Sequence, residues 1–529
     1  MDIPSLFMIP SAVSSGKVHS VFPNSTDADF DFNRDSDATR VNSEGLIERV
    51  GYYGSEEVTN NTFSSATGWT LESGWSIANN YAVANTTSGF IYQIGSGLTN
   101  GKKYKVTFSI SEYVSGSVFF GFGAGLVLDA GASVSANGNY TQFVDCTTSG
   151  TKFVGFKGVS FTGKINNFSV KEITGDRARL NYEIEGGLVN TKPSLLLEPQ
   201  STNLIPYSNP IEVSGGWQIF DNASIETNYE ISPMGIKNAS LVGTQGGVND
   251  FIYDSITISN SATYTVSFYI KNINSQATGF YAPSATDGRI NWNGAEISSI
   301  VGTGANYEEL SNGWYRVHQT TTSTSTNIVT RIYSDKVSTG SVLIFGYQLE
   351  EQSYPTSLIP TNGSTQTRAA ETCNGAGTSS IFESSEGILY CEIKAFNLDG
   401  GLRYISIGGS TDTNRLVIRF LNTTGNISAF SYPNGAITSI MEDTSTNPLV
   451  FNKVAMKWKV NDFALWVNGN KVATDTSGAT FASGVFDRLQ FSNPQGTSVF
   501  YGKVRDIRVY NTKEMTDSEV DILLTKITS

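Results

Sequence analysis

Hydrophobic and polar residues alternate along short stretches of the chain, and this alternation dominates the sequence. Residues 103–110 read KYKVTFSI, in which Tyr104, Val106, Phe108 and Ile110 alternate with polar residues. Successive side chains of a β-strand point to opposite faces, so this stretch predicts a strand with one buried face. Long helices would need concentrations of Ala, Glu, Lys and Leu, which are not found anywhere in the chain. The pattern predicts an all-β protein.

The same pattern returns later in the chain. Residues 263–270 read TYTVSFYI, and Tyr264 stands 160 positions after Tyr104. A Gly-Trp pair precedes each stretch, at Trp69 and Trp217. Regular recurrence of this kind indicates two copies of one β-sandwich, the second slightly longer. With eight or so short strands in each copy, the spacing favours a jelly roll.

The chain is too long for one domain, because single cores stop growing at roughly 250–300 residues. The predicted segments are an N-terminal anchoring segment (1–54), β-sandwich module 1 (55–175), a connector (176–206), β-sandwich module 2 (207–352), a second connector (353–371) and a terminal domain (372–529). Both connectors are rich in Pro, Ser and Thr yet carry apolar residues, so we expect them to be ordered and to lie across sheets.

The N-terminal segment stands apart from the rest. Its short apolar runs, such as KVHSVF at 17–22 and ADFDF at 28–32, are too few for an independent core. We therefore expect these residues to bury against a partner chain or a sister subunit.

The terminal domain carries two local signals. Asn468-Gly469 separates DFALWV from NKVAT, and Asn-Gly favours the tight turn of a β-hairpin because both positions tolerate positive φ. Near the end, Thr516 is followed three residues later by Glu519, the pattern of a capping box, and then by the apolar residues Val520, Leu523 and Leu524. These residues predict a hairpin and a short final helix.

Composition and charge exclude several functions. The net charge of −13 would repel a phosphate backbone, and no cluster of Lys and Arg offsets it, so nucleic-acid binding is not expected. The chain contains no stretch of about 20 apolar residues, so no membrane-spanning helix is predicted. The first residues lack the basic start and apolar core of a secretion signal, which suits a protein made in a cytoplasm and released by lysis.

Residues for catalysis or metal binding are sparse. Cys146, Cys373 and Cys391 leave two interpretations open, a bridge between the last two or three buried free thiols. The histidines, His19 and His318, lie far apart and outside any Gly-x-Ser-x-Gly motif. A glycosidase of this kind would need two carboxylates spaced along one strand face, and the terminal domain lacks such a pair. Its loop STDTN could offer oxygen ligands to calcium, but Asx turns explain the same residues. We predict no catalytic residue, no metal site and no cofactor.

Several segments resemble parts of bacteriophage particle proteins of the head-fibre and tail-fibre type. These segments are ATRVNSEGLIE (38–48), SLLLEPQSTNLIPYS (194–208), NGWYRV (312–317) and YQLEEQSYPTSLIPTNGSTQTR (347–368). Residues 451–476 and 500–510 resemble the concanavalin A-like, laminin-G-like terminal domain of the same proteins. The resemblance implies tandem jelly-roll β-sandwiches, namely two carbohydrate-binding-like modules followed by a concanavalin A-like sandwich.

The resemblance also implies a role. The expected function is a structural appendage on the surface of a virion, which displays lectin-like modules for adhesion to host-surface glycans. Its expected partners are other virion proteins, reached through the N-terminal segment, and sister subunits in a homo-oligomer, with a trimer favoured. A purely architectural protein without a glycan ligand is the alternative, and a polysaccharide-degrading enzyme is a remote one.

A glycan site would use exposed aromatic rings beside side chains that hydrogen-bond hydroxyl groups. Trp292 meets this description, because Arg289, Asn291 and Asn293 surround it in a Gly-bounded stretch. Trp466 lies on the strand face opposite Phe463, Leu465 and Val467, so it either packs under a neighbouring domain or faces a ligand. Trp458 and at least one of Trp69 and Trp75 are expected in the cores.

Overall fold

The structure, a computed structural model, describes residues 3–14, 16–94, 98–122, 129–131, 133–147, 153–174, 177–212, 216–244, 247–281, 287–398, 401–421 and 424–529. Within these ranges the regular secondary structure is almost entirely β, with one α-helix, α1 (Asp517–Thr528), and short 3₁₀ turns at Thr26–Ala28, Ser311–Gly313 and Pro433–Gly435. The same ranges hold no helix whose length and hydropathy would let it cross a membrane. The all-β prediction is confirmed.

The first eighteen strands belong to the N-terminal segment, module 1 and the first connector. They are β1 (Leu6–Met8), β2 (Val13–Ser14), β3 (Lys17–Val18), β4 (Phe30–Asn33), β5 (Thr39–Val41), β6 (Ile47–Arg49), β7 (Tyr52–Glu56), β8 (Thr70–Leu71), β9 (Trp75–Ala78), β10 (Tyr81–Thr87), β11 (Phe90–Ile94), β12 (Lys103–Phe122), β13 (Asp129–Ala130), β14 (Gly138–Asp145), β15 (Phe153–Thr174), β16 (Arg179–Glu185), β17 (Leu188–Leu197) and β18 (Ser201–Asn203).

The remaining strands form module 2, the second connector and the terminal sandwich. They are β19 (Gln218–Phe220), β20 (Ala223–Ile231), β21 (Lys237–Thr244), β22 (Phe251–Thr257), β23 (Thr263–Asn272), β24 (Ala277–Tyr281), β25 (Asp287–Asn293), β26 (Glu296–Val301), β27 (Ala305–Glu309), β28 (Tyr315–Thr322), β29 (Asn327–Tyr333), β30 (Ser341–Glu350), β31 (Gln366–Arg368), β32 (Thr372–Asn374), β33 (Gly387–Lys394), β34 (Arg403–Gly408), β35 (Arg415–Phe420), β36 (Ile427–Tyr432), β37 (Ser439–Asp443), β38 (Asn452–Trp458), β39 (Phe463–Val467), β40 (Asn470–Asp475), β41 (Arg488–Gln490) and β42 (Gly502–Asn511).

Module 1 is a sandwich whose two layers share their central strands. The first part of β12 pairs with β14 and with the end of β15, whereas the last part of β12 pairs with β13 and with the beginning of β15. Irregular pairing around Ser111–Ser117 bends both long strands from one layer into the other. Phe108 contacts Phe156 across the core, with ring centroids 5.1 Å apart.

Module 2 has the same topology, divided into two separate sheets. One sheet has the order β20-β21-β30-β23-β28-β27, and the other has the order β19-β22-β29-β24-β25-β26. The chain order matches module 1 strand by strand, with β23 and β24 in the places of the two parts of β12, and β29 and β30 in the places of the two parts of β15. Strands β26 and β27 are additional, which explains the greater length of module 2.

The strand register shows that residues 103–110 and 263–270 are equivalent in the two modules. Val106 pairs with Val170 and Val266 with Leu349, and each pairing shifts two positions later, at Phe108 and Phe268. A residue with positive φ lies opposite each shift. It is Asn167 (51°) on β15, three residues before Val170, and Gly346 (61°) on β30, three residues before Leu349. The side chains of Tyr104, Val106, Phe108, Ile110 and of Tyr264, Val266, Phe268, Ile270 are all buried. A shared bulge at one position supports duplication of a single module.

The terminal sandwich packs a large sheet on a five-stranded one. The large sheet runs β16-β17-β42-β33-β38-β39-β40, and the second sheet runs β37-β36-β35-β34-β41. Trp458 lies between them with 1% exposure, as expected. The Asn468-Gly469 turn joins β39 and β40 with φ values of 48° and 83°, and Thr516 caps α1 in a complete capping box with Glu519, so both local predictions are confirmed.

The N-terminal segment is part of this terminal sandwich. Strand β1 extends the large sheet, with Leu6 opposite Val509 of β42, and β4 pairs with β32. Leu6 and Phe30 are fully buried in the terminal core. The expectation that these residues bury against another chain was therefore wrong. The segment cannot form a core of its own, but the edge of β42, about 500 residues later, supplies the partner surface within the same chain.

The connectors are also built into the sheets. The β16–β17 hairpin continues the large sheet of the terminal sandwich, with Leu195 opposite Val504, and β18 pairs with β31. Beside these strands lies a buried ion-pair cluster of Arg34, Arg179, Arg368, Glu198 and Glu371, whose side chains are at most 4% exposed. The cluster joins the N-terminal segment to both connectors.

The three cysteines are free and buried. Of the two interpretations that the sequence left open, the one with free thiols is the one observed. Burial raises the pKa of the Cys391 thiol well above its usual value and so disfavours its reactive thiolate form.

Candidate functional site

The outer face of one sheet of module 2 carries an unusual set of side chains. Along β22, β29 and β24, period-two alternation sends Ile252, Ile332 and Phe280 into the core. The residues between them therefore point outward. These outward residues are largely aromatic, and a cation lies among them. We call this surface the aromatic face of module 2, and define it by Phe220, Phe251, Tyr253, Tyr281, Arg331 and Tyr333.

The rings of the aromatic face form a continuous row. Phe220, on the edge strand β19, stacks on Phe251 with centroids 4.5 Å apart and an interplanar angle of 8°. Phe251 contacts Tyr333 at 4.9 Å, and Tyr333 contacts Tyr281 at 5.8 Å. Phe220 is 48% exposed and Tyr281 and Tyr253 are half-buried, whereas Phe251 and Tyr333 are only 9% and 5% exposed. Phe220, Tyr253 and Tyr281 are therefore the rings whose surface a ligand can reach.

Arg331 lies in the middle of this row. Its guanidinium carbon is 4.8 Å from the centroid of Phe251 and 5.0 Å from that of Tyr281. Lys336 lies above Tyr333, with Nζ 3.9 Å from the ring centroid. Cations held on ring faces are stabilised by the ring quadrupole. Within the described ranges neither Arg331 nor Lys336 has a carboxylate within 4 Å, and the Nε of Arg331 is buried without a hydrogen-bond partner.

Two of the residues singled out in the sequence lie on the same face. Arg289 pairs with Gly279 of β24 and is exposed, and Asn291 follows it two positions along β25. The Asn291 amide donates to Ser299 Oγ at 2.9 Å. Sequence reasoning missed the aromatic residues and Arg331, because these lie on other strands and each alone resembles an ordinary strand residue.

Trp292 was expected to be exposed, and the structure corrects this. Trp292 stands two positions after the buried Ile290 on β25, so strand alternation points its ring inward. It is half-buried against Tyr315, with centroids 6.0 Å apart, and its Nε1 donates to Thr278 Oγ1 at 2.9 Å. Asn293 is exposed in the turn to β26. Trp292 thus supports the sheet while Arg289 and Asn291 remain on its surface.

Trp466 is covered by the helix that ends the same domain. It is 7% exposed and packs with Val520, Leu523 and Leu524 of α1. Neither of the two predicted environments, a neighbouring domain or a ligand, is observed. The helix supplies the cover because its capping box and apolar stripe lie only about 50 residues further along the chain.

The terminal sandwich shows a similar face with a different charge balance. Arg415 lies 4.0 Å from the ring centroid of Tyr432, but it also forms an ion pair of 3.0 Å with Asp412. Phe430, beneath the arginines of this face, is only 2% exposed. Arg415 is thus neutralised, whereas Arg419, which lies 4.8 Å from the ring centroid of Phe430 and 5.8 Å from that of Tyr404, has no carboxylate within 4 Å among the described residues.

A cavity of about 610 Å³ separates module 2 from the terminal sandwich. His318 lines it from β28, and burial lowers the pKa of this imidazole to about 4, so it is neutral at pH 7. Lys394 and Lys503 line the same cavity and both pair with Glu183. The two lysines thus share one carboxylate within the chain.

The N-terminal hairpin holds a Ser-His-Asp arrangement that the sequence did not reveal. His19 Nδ1 lies 2.7 Å from Asp29 Oδ2, and His19 Nε2 lies 2.7 Å from Ser14 Oγ. Ser14 is in an extended strand opposite Lys17, not on the sharp turn that presents a nucleophile in hydrolases. Asp29 also accepts a hydrogen bond from the Ser20 backbone N–H. The same bonds therefore hold the hairpin against the following segment.

No family model matches the chain, and no curated protein matches it. Among solved structures, the CBM40 domain of the Ruminococcus gnavus IT-sialidase bound to α2,3-sialyllactose is similar over 28% of this chain and 87% of that one, at 21% identity and a TM-score of 0.24. The tandem CBM22 domains of Paenibacillus barcinonensis Xyn10C align over 57% and 97%, at 8% identity and a TM-score of 0.21. The LG1-3 region of the laminin α2 chain aligns over 80% and 96%, at 9% identity and a TM-score of 0.20.

The sheets described above define the class of the protein. It is built from tandem antiparallel β-sandwiches, two of which share one jelly-roll topology, while the third packs a large sheet on a five-stranded one.

Proposed function

We propose that this protein is an adhesion protein that binds acidic glycans on the aromatic face of module 2. One observation carries the proposal. Arg331 is held between the rings of Phe251 and Tyr281 on an outer sheet surface, and no described carboxylate neutralises it. The chain carries a net charge of −13, and the guanidinium group of Arg331 places a positive charge on this ring surface.

The face suits a sugar that bears a carboxylate. The apolar side of a pyranose ring can stack on the exposed ring of Phe220 or on Tyr281. The planar guanidinium group of Arg331 matches the geometry of a carboxylate and can donate two hydrogen bonds to it. Arg289 and the amide of Asn291 are placed to bind neighbouring acidic or hydroxyl groups.

The setting that we propose is the surface of a bacteriophage particle. The resemblance of residues 38–48, 194–208 and 347–368 to head-fibre and tail-fibre proteins supports it, and a homotrimer is the assembly that we favour. Attachment is not assigned to residues 1–54, because their apolar side chains are used inside the terminal sandwich. We propose binding without catalysis, so glycans should be bound and not cleaved.

Binding of the full chain to immobilised polygalacturonate, compared with a neutral galactan of similar length, tests the proposal. Arg331→Ala should lower the affinity at least about tenfold, whereas Arg331→Lys should retain part of it, because a single charge–carboxylate hydrogen bond contributes about 1.5–3 kcal/mol. Phe220→Ala should weaken binding without changing the charge.

Lys164→Ala is the matched control, because it removes one positive charge that is already paired with Glu112. This variant should bind like the unmodified protein. Equal binding of the acidic and neutral polymers, or unchanged binding by Arg331→Ala, would reject the proposed site and leave the purely architectural function as the better explanation.

A further inference from the structure

The outer face of module 1 repeats the central feature of the aromatic face. On β15, Lys157 pairs in register with Phe90 of β11 on one side and with Phe119 of β12 on the other. Its Nζ lies 5.2 Å from the centroid of Phe90 and 5.8 Å from that of Phe119. The cation is thus flanked by two aromatic rings from neighbouring strands.

These three residues occupy the places of three residues in module 2. The topologies match strand by strand, so β11 corresponds to β22, the beginning of β15 to β29 and the end of β12 to β24. Arg331 of β29 pairs in register with Tyr253 of β22 and lies against Tyr281 of β24. In both modules a cation on the central strand is therefore flanked by a ring on each side.

The surroundings in module 1 leave this cation available. Lys157, Phe90 and Phe119 are each half-exposed. Of the described residues, no carboxylate lies within 4 Å of Lys157, although Lys164 on the same strand is paired with Glu112 at 2.7 Å. Next to this group, the rings of Tyr92 and Phe153 meet edge to face with centroids 5.2 Å apart, which extends the aromatic surface.

We propose that Lys157, Phe90 and Phe119 form a second site for the same acidic glycans, so that one chain binds a polymer at two points. This inference rests on the proposed function of module 2. Charge complementarity decides the ligand class, because an unpaired ammonium group between ring faces favours a carboxylate-bearing sugar over a neutral one. A lysine donates as a point charge, so this site is less selective for orientation than the arginine site.

Two sites on one chain make binding to a polymer bivalent. The second contact then forms at the effective concentration set by the first, which raises the apparent affinity by about 10²–10⁴ without any new contact. Removal of either site should therefore abolish the increase in apparent affinity for the polymer. For a ligand too short to reach both sites, the same removal should cost only the binding at the altered site.

The experiment compares the full chain with Lys157→Ala, Arg331→Ala and the double variant on surfaces that carry either long polygalacturonate or a trimer of galacturonate. On the polymer each single variant should bind at least about tenfold more weakly than the unmodified protein, and the double variant should not bind. On the trimer, which is too short to reach both sites, the loss for each single variant should be much smaller. Lys164→Ala controls for net charge, and Lys157→Arg should restore binding.

The outcomes separate the two proposals. If Arg331→Ala abolishes binding to both the polymer and the trimer and Lys157→Ala has no effect, module 1 has no site while the proposed function of module 2 stands. If the unmodified protein does not distinguish polygalacturonate from the neutral galactan, the proposed function fails and the second site fails with it. Unfolding midpoints equal to that of the unmodified protein confirm that the variants are folded.

Discussion

The guanidinium group of Arg179 and the carboxylate of Glu371 lie 192 positions apart in the sequence and form a two-point ion pair, with neither side chain exposed to solvent. Arg34 donates to the same carboxylate at 3.0 Å, and so does the backbone N–H of Glu198 at 2.9 Å. Burial alone would raise the pKa of Glu371, but the nearby guanidinium groups outweigh it and hold the pKa below its usual value. The connectors and the N-terminal segment are thus fixed around one ionised carboxylate.

Glu371→Gln should destabilise the protein by about 3–5 kcal/mol, because it leaves buried guanidinium groups without their counter-charge. Chemical denaturation with a fluorescence readout measures this loss. Asp31→Asn is the control, since Asp31 pairs with Lys17 at the surface with 71% exposure, and its loss should cost at most about 1 kcal/mol. Similar effects of the two substitutions would show that the cluster does not act as a buried network.

Acid should destabilise the chain partly through Glu183. Burial favours a higher pKa for this carboxyl, but Lys503 and Lys394 outweigh it and lower its pKa to about 2. Its stabilising effect is complete above the unfolded pKa of about 4.3 and disappears as the pH falls towards 2. The difference in Tm between the unmodified protein and Glu183→Gln should therefore shrink between pH 5 and pH 2. The exposed Glu44→Gln should show no such pH-dependent difference.

The duplicated core predicts matched sensitivities in the two modules. Phe108 is 1% exposed and Phe268 is fully buried, and both lie at the shared bulge. Truncation of either to Ala should cost about 3–5 kcal/mol through lost burial and a residual cavity. Leu188→Ala, at a side chain that is 76% exposed, should change stability by less than about 0.5 kcal/mol. A large effect in only one module would argue against equivalent roles.

The N-terminal segment should behave as part of the terminal core. Leu6 is fully buried in that core, so Leu6→Ala should destabilise the terminal sandwich by about 2–5 kcal/mol. Ile3, which is 66% exposed, should tolerate the same change within about 0.5 kcal/mol. Differential scanning calorimetry measures both. A folded terminal sandwich of unchanged stability after deletion of residues 1–33 would contradict the observed packing.

The Ser14–His19–Asp29 arrangement should be structural. Because Ser14 lies in an extended strand, it lacks the presentation of a nucleophile, and a fluorophosphonate probe should not label it. Mass spectrometry of the treated full chain, with an active serine hydrolase in the same tube as a positive control, checks this. Covalent labelling at Ser14 that is lost in His19→Gln would overturn the proposal of binding without catalysis.

Much of the local structure was predictable from the residues. Alternation identified the central strands at Tyr104 and Tyr264, the Asn468-Gly469 pair identified a hairpin, and Thr516 with Glu519 identified the start of α1. Each of these signals acts within about ten residues, where backbone sterics and hydrogen bonding dominate. The candidate site was only partly predictable. Arg289 and Asn291 lie on it, whereas Trp292 points into the sandwich because it shares the inward face of β25 with Ile290.

The sequence by itself determined the all-β class, the duplication and the position of several strands, because side-chain alternation decides which residues can share a buried face. Only the tertiary structure decided which strands become neighbours. Phe251, Tyr281 and Arg331 meet because β22, β29 and β24 are adjacent in one sheet, and Leu6 reaches Val509 because β1 completes an edge at the opposite end of the chain. Such pairings depend on the order of strands in a sheet, on bulges and on open edges. Contacts between residues far apart in the sequence decide these features, so local patterns do not predict them.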